Sequence, residues 1–514
     1  MTAQSSAQPR FMREIPVPAL PPDLDAAIER RVESSSPGLS GIRVAAASAL
    51  RRLGLPHSGH EDYSFVRVGE LLPHLTLPDG TSPAAVPAAM PSAADLAPWI
   101  CAEAGENLIV LLDGIWVPGL SRVGDDFSVT LLEESAPPES PLPRMHLRFQ
   151  AMHAAFLNRV EAALEEEFDA PAALASLSAA HPLLIRVPAK RAAAPIQILH
   201  LTTGARRSDA FVVIHAGAQS ESRILVRHAR LAHAPSAEPG PRSAGGPPSA
   251  GGPQEAGMEN VHTLALIEDG ASVRFLEQGI DPSAAGNDLH LRKLSARLER
   301  DARLTVVSAH TGSRLTRAAF GIDLAGEGAE VELNGAAVLA GSRQGHHQVR
   351  LHHLVPHGTS RQTFKTVAAD RARASVDGTI TVALDAQQTN AAQLINNLML
   401  SDEARTDTKP RLMIHADDVK CSHGATTGKL DPAQQFYLES RGLPPGRARS
   451  LLTVAFIAEA LEKAAGIGEA PQGGSFRDAL GHALLDALRD SMPDAGIPGP
   501  NPSASGGVRG NPHA

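Results

Sequence analysis

The sequence predicts a mainly β protein, a β-solenoid with helical regions at both ends, and three observations predict it. From about Ile196 to Ala425, short runs rich in Val, Leu, Ile and Thr are separated by Gly, Asp and Asn, with period-two alternation as in Ile196, Ile198 and His200 or Phe211 and Val213. Inside that stretch EDGASVRFLE, ERDARLTVVS, GEGAEVELNG, DRARASVDGT and SDEARTDTKP each lead from an acidic turn through Ala toward a strand, at uneven intervals of roughly 27 to 45 residues. No helical period separates these units. Repeated strand-and-turn units bury the apolar face of each coil against the next. A large antiparallel sandwich fits the same alternation and stands as the alternative.

The flanks read differently. Residues 23–55 carry helical patterning that ends at Gly54 and Pro56, and a Pro- and Ala-rich mixed region follows to about residue 145. From Met145 to Phe168, Leu147, Met152, Phe156, Val160 and Leu164 recur about every four residues, the period of one helix face. Residues 233–257, HAPSAEPGPRSAGGPPSAGGPQEAG, have a composition that buries no core, which predicts a disordered loop between two coils.

After the strands, Asp431-Pro432-Ala433-Gln434 supplies an acidic cap, a proline at the first helical position and an amide three residues after the cap. A helix should run from there to about Gly442. A second should follow Pro444-Pro445-Gly446, with Ala448, Leu451, Leu452, Ala455, Phe456 and Glu459 on one face, and a third should start at Ser475 and bury Leu480, Leu484 and Leu488. The expected organisation is an N-terminal mixed and helical region (1–195), a solenoid core (196–430), a C-terminal helical domain (431–492) and a disordered tail (493–514).

At 514 residues the chain is long for one compact domain, so several units are expected. The formal charge is −9, with Lys and Arg scattered among acids, which argues against a nucleic-acid partner. Two cysteines, Cys101 and Cys421, are too few for a disulfide framework, and the first residues lack a signal-peptide pattern, so a reducing, cytoplasmic setting is expected. The most apolar stretch, Leu108 to Leu120, is broken by Asp113 and falls short of a membrane span of about 20 residues, so no membrane association is expected.

The chemistry-bearing residues are few. Cys421 and His423 are two apart in a strand-like stretch, so both side chains leave the same face, and thiolate with imidazole suits iron, zinc or an iron–sulfur cluster. Two ligands make half a site, to be completed by a partner, by small ligands or by distant histidines. A buried thiol beside a hydrogen-bonded histidine is the plainer alternative. His346, His347, His352, His353 and His357 cluster in sequence, but adjacent strand residues face opposite ways, so at most one of each pair can share a site. Gly424 to Lys429 has the wrong glycine spacing for a phosphate loop, and Leu430 stands where that loop needs Ser or Thr, so no bound nucleotide is expected. Asp417 and Asp418 would be the carboxylates of a β-helix carbohydrate-active enzyme, although strand neighbours diverge. A stand-alone metal-binding protein is the third class.

Residues 396–461 carry the most specific pattern: Asp407-Thr408-Lys409-Pro410, then Ala416-Asp417-Asp418-Val419-Lys420-Cys421-Ser422-His423-Gly424-Ala425-Thr426, Phe436-Tyr437-Leu438 and Ser440-Arg441-Gly442. This segment resembles the carboxy-terminal signature of the SufB/SufD family of the SUF iron–sulfur cluster assembly system. Leu438 stands where SufB carries a cysteine, which favours the SufD branch. Looser similarity extends to Val331–Gly335, Gly358–Gln362 and the early GLPHSGHEDYSF.

The resemblance implies a right-handed parallel β-helix that pairs edge to edge with a SufB-like paralogue, in a non-catalytic scaffold subunit of an ATP-driven complex. It implies that His423, with Cys421 beside it, contributes to a transient iron or nascent iron–sulfur cluster shared with that partner. It also implies docking of a SufC-like ATPase on the C-terminal helices, here through Phe436, Tyr437, Arg441, Arg449, Leu452 and Phe456.

Overall fold

The computed structural model describes residues 17–57, 59–77, 90–134, 143–203, 207–231, 257–279 and 288–461. Two long sheets face each other. One runs in spatial order from Val419–Gly428 through Thr389–Met399, Thr359–Ala368, Glu330–Leu339, Arg303–His310, Ser272–Gly279 and Glu221–Arg230 to Ile196–Thr202 and Leu108–Leu112. The other runs from Arg405–Ile414 through Arg373–Val382, Gln344–His353, Leu315–Leu324, Leu289–Leu298, Met258–Ile267 and Arg207–Ala216 to Leu183–Val187. The chain alternates between the sheets, and successive strands within each pair in parallel. That is a parallel solenoid, and it excludes the antiparallel sandwich.

Each coil advances the register by 26 to 32 residues, so that Met258, Leu289 and Leu315 stack in one column. The echo read from sequence was uneven for a structural reason. GEGAEVELNG enters the first sheet and DRARASVDGT enters the second, so that interval spans a coil and a half. One coil is longer, with Ser272 beside Glu221 and Met258 beside Arg207. The loop expected at 233–257 lies, apart from Gly257, outside the described residues. The sheets also take in strands ahead of residue 196: Leu108–Leu112 pairs in parallel with Ile196–Thr202, and Leu183–Val187 with Arg207–Ala216.

Period-two alternation fills the space between the sheets. Ile196, Ile198, Ile224, Val226, Phe275 and Val306 face Ala265, Leu294, Phe320, Val349 and Ile380 in a single core. The outer faces are covered too, which is why a strand such as Met258–Ile267 is buried at every position. Helices Pro22–Glu33, Pro37–Leu53, Pro143–Glu165 and Ala170–Ser178 cover the second sheet. Gly54, at φ 67°, ends the second of these helices in the left-handed conformation that glycine tolerates.

Helix Pro445–Leu461 covers the outer face of the first sheet, resting on Val307, Val338 and Val367. Its buried stripe is Ala448, Ser450, Thr453, Ile457, Ala460 and Leu461, a face turned from the one expected from sequence, of which Ala448 is buried and Leu452 and Phe456 are half-buried. Small residues let the helix lie close on the strands, which turns Leu451 and Ala455 outward. Asp431 caps helix Pro432–Ser440 by accepting from the Ala433 amide at 2.9 Å, with Pro432 at the first position. The helix expected from Ser475 and the tail lie outside the described residues.

Candidate functional site

The solenoid ends on two strands, Arg405–Ile414 and Val419–Gly428, that occupy the outer edges of their sheets. Cys421 and His423 sit on the second. Cys421 pairs with Ala391 and His423 with Gln393 on the neighbouring strand. Ala391 belongs to the core and Cys421 packs against it, so the odd positions of this strand, His423 among them, share the inward face. Cys421 is half-buried and His423 exposed. Burial pushes the Cys421 thiol pKa up, with a backbone hydrogen bond from Ala391 opposing it. Beneath His423, Gln393 donates through Nε2 to Gln362 Oε1 at 2.8 Å, which places a polar column where earlier coils carry Leu333 and Val306. Gly378 of the facing sheet leaves room for Gln393. Among the described residues no third ligand joins Cys421 and His423.

The remaining candidates disperse. His346 bonds to Ser375 at 2.8 Å, His352 to Asp323 at 2.9 Å, His353 to Ser360 at 2.9 Å, and His357 lies 3.5 Å from Glu327. His347 faces His310 inside the solenoid, with ring centroids 4.8 Å apart. The histidine run therefore does not assemble. Asp417 and Asp418 are exposed in the turn before the last strand. Neither lines the cavity of about 570 Å³ between helix Pro143–Glu165 and the second sheet, whose walls include Arg159, Arg297 and Asp323. Gly424 to Gly428 lie in a strand, where no phosphate-cradling loop can form.

On the C-terminal helices, Phe436 and Tyr437 are 72% and 57% exposed, and Arg441 stacks over the Tyr437 ring at 5.3 Å. Arg449 and Leu452 are half-buried. Phe456 packs against the solenoid beneath Lys365 Nζ, 4.6 Å from its ring centre.

The sequence reading missed a polar cluster inside the solenoid. His200 and His228 stack on adjacent strands with ring centroids 4.8 Å apart, and Glu259 reaches them from the facing sheet. His228 lies between Glu259, 2.9 Å from its Nδ1, and Glu277, 3.2 Å from its Nε2. Ser308 donates to Glu277 at 2.8 Å, and His290 and Arg292 hold the second Glu259 oxygen at 3.1 and 3.5 Å. Burial, reinforced by His228, lowers the His200 pKa to about 3. For His228 burial opposes charge, but Glu259 and Glu277 outweigh it and the pKa rises. The signal was available: His200 shares the phase of Ile196 and Ile198, and His228 that of Ile224 and Val226, so both histidines interrupt an apolar face.

Residues 249–456 match the family model of the SUF system FeS cluster assembly SufBD core domain. The chain is 39% identical over 151 residues to the iron–sulfur cluster assembly protein SufD of Escherichia coli, covering 29% of this chain and 36% of that protein. It is 37% identical over 181 residues to an iron–sulfur cluster assembly SufBD family protein of Synechocystis, covering 35% and 40%. Against SufD of Bacillus subtilis the identity is 27% over 199 residues, covering 39% and 45%. The matched part therefore spans less than half the length of these relatives. It holds most of the solenoid, the edge strand with Cys421 and His423, and the first C-terminal helix, so this chain carries a region similar to the SufBD core, and the matches support a SufD-type protein.

Proposed function

We infer that this chain is a scaffold subunit for iron–sulfur cluster assembly, without catalytic activity of its own, working in a complex with a SufB-like paralogue and a SufC-like ATPase. One observation carries the reading. An inward-facing thiol and imidazole sit on an edge strand at the end of a parallel solenoid, with half of a coordination shell between them. An edge strand presents unpaired backbone donors and acceptors, and a second solenoid can add to it by strand pairing. Such pairing would bring the partner's ligands to Cys421 and His423. Iron or a nascent cluster is then cargo shared across the junction, held by the softer thiolate and the imidazole together.

The relatives named for iron–sulfur cluster assembly support the reading, as does the exposed aromatic pair Phe436 and Tyr437, which gives the ATPase a surface clear of the solenoid. Movement of the C-terminal helices during ATP turnover would then act on the first sheet, on whose outer face helix Pro445–Leu461 rests. Among the described residues no helix is long and apolar enough to cross a membrane.

The test is anaerobic co-purification of the tagged chain with SufB-like and SufC-like partners, wild type against His423→Ala, followed by iron and sulfide analysis. A stable complex whose cluster content falls in the variant supports the scaffold and the site together. Failure to form any complex overturns the scaffold, and undiminished cluster in an intact variant complex overturns the site.

A further inference from the structure

The interior cluster described above has no part in that reading. We propose that His200, His228 and Glu259 form a binding site for one divalent transition-metal ion, Zn²⁺ or Fe²⁺, enclosed between the two sheets.

The donor set comes first. One ligand atom from each residue can be chosen so that all three lie within 4.8 Å of one another, and all three residues are buried. Two imidazoles and a carboxylate form the donor set of catalytic zinc sites and of the facial triad of non-haem iron. With metal–ligand bonds of about 2.0 to 2.2 Å, tetrahedral ligand atoms stand about 3.4 Å apart, so the widest separation need close by at most about 1.4 Å, while His228 Nδ1 and Glu259 Oε1, 2.9 Å apart, open by about 0.5 Å. His200 and His228 come from neighbouring strands in direct register, and Glu259 comes from the opposite wall, so ligands approach from two sides.

A second observation is independent of that proximity. His200 Nε2 is buried and has no hydrogen-bond partner, although the residue is only 4% exposed. A buried imidazole nitrogen without a hydrogen-bond partner, on a ring stacked against His228, can accept a metal bond at no cost in protein hydrogen bonds.

The surroundings supply what metal ligands require around them. His228 turns Nδ1 to Glu259 and Nε2 to Glu277, and Ser308 fixes Glu277 in turn. With the ion on Nδ1, the Nε2–H donates to Glu277, an arrangement that orients a metal-bound histidine and raises its basicity. His290 and Arg292 hold the other oxygen of Glu259, leaving Oε1 for the ion. Gly279 makes room for Arg292, whose guanidinium occupies the place where a Cβ would stand.

An ion at Nδ1 takes the place of the contact between His228 and Glu259 and leaves the one between Nε2 and Glu277. Arg292 remains as a countercharge to Glu277 and Glu259. His228 lies six coils from the strand of His423, about 29 Å at roughly 4.8 Å per strand, so the two sites are separable by mutation.

The full chain, expressed alone with zinc or iron supplementation, is dialysed against a weak chelator and analysed for metal, and X-ray absorption at the metal edge reads the ligands. Wild type should retain about one zinc or iron per chain, with nitrogen and oxygen scatterers and no sulfur. His423→Ala and Cys421→Ser should keep that content, while His200→Ala and the near-isosteric Glu259→Gln should lose it by at least tenfold. A metal-free wild type overturns the proposal. So does a sulfur scatterer, which would place the ion at a cysteine, and so does full metal content in folded His200→Ala. Because the absorption spectrum uses wild-type protein, the proposal stays testable if an interior variant fails to fold. Failure of complex formation with a SufB-like partner would leave this result unaffected.

Discussion

Glu167 gives the sharpest test of how the helical layer is tied to the solenoid. Its carboxylate is buried, 3.0 Å from Lys293 Nζ, and it accepts from Ser295 Oγ at 2.6 Å and from the amides of Phe168 and Asp169 at 2.8 and 3.0 Å. Lys293 is equally buried and stands 3.2 Å over the centre of the Phe168 ring. Burial alone would raise the Glu167 pKa, but Lys293, His262 and Ser295 together bring it down to about 2. Glu167→Gln keeps the shape and strands the ammonium. Removing one member of a buried pair costs about 3 to 5 kcal/mol, and the shift from an ordinary value near 4.5 corresponds to about 3 kcal/mol. The cost is capped because Lys293, whose pKa burial already lowers, can shed its proton. Guanidinium denaturation at pH 7 followed by circular dichroism should show that loss. Glu167→Gln/Lys293→Met should recover most of it, since an apolar replacement leaves no orphan charge. The wild-type contribution should be complete above pH 4.5 and fade as the pH falls toward 2, the sign for a depressed carboxylate. A single-variant loss below about 1 kcal/mol, or a double variant no better than the single, would refute the reasoning.

Three further outcomes follow from other parts of the molecule. His200, His262, His346, His347 and His353 are held neutral by burial, with pKa values of about 3 to 4. The unfolded chain takes up protons first, so stability should drop between pH 7.5 and 5.5 by about 1 kcal/mol for each, with His228 acting in the opposite sense; a denaturation midpoint that stays flat over this range would contradict that assignment. Gly326 turns so close to the preceding coil that an added Cβ would stand 1.9 Å from the Arg300 amide nitrogen. Gly326→Ala should therefore cost about 3 kcal/mol, seen as a lowered Tm, because backbone cannot step aside as a side chain can. Phe436→Ala with Tyr437→Ala should weaken capture of a SufC-like ATPase at least tenfold while leaving Tm unchanged, since both rings are exposed. Unaltered capture would move the docking surface elsewhere.

By itself the sequence determined the faces. Alternation at Ile196 and Ile198, and the C-x-H spacing of Cys421 and His423, assign side chains to one side of a strand, because successive residues of an extended chain point opposite ways whatever packs around them. It also determined local stops and starts, such as the Asp431–Pro432 cap and the Gly54 ending, which depend on a few neighbouring atoms. The tertiary structure decided which coil lies on which. Coils of 26 to 32 residues and one longer coil shift the register unpredictably, so nothing local shows that Glu259 stands opposite His228, or that Lys293 meets Glu167 across 126 positions of chain. It decided the buried side of helix Pro445–Leu461 as well, where close approach to a sheet rewards small residues over the larger Leu451. Such contacts depend on loop lengths and on the surface presented by a distant strand, and neither is written in the period of the residues that make them.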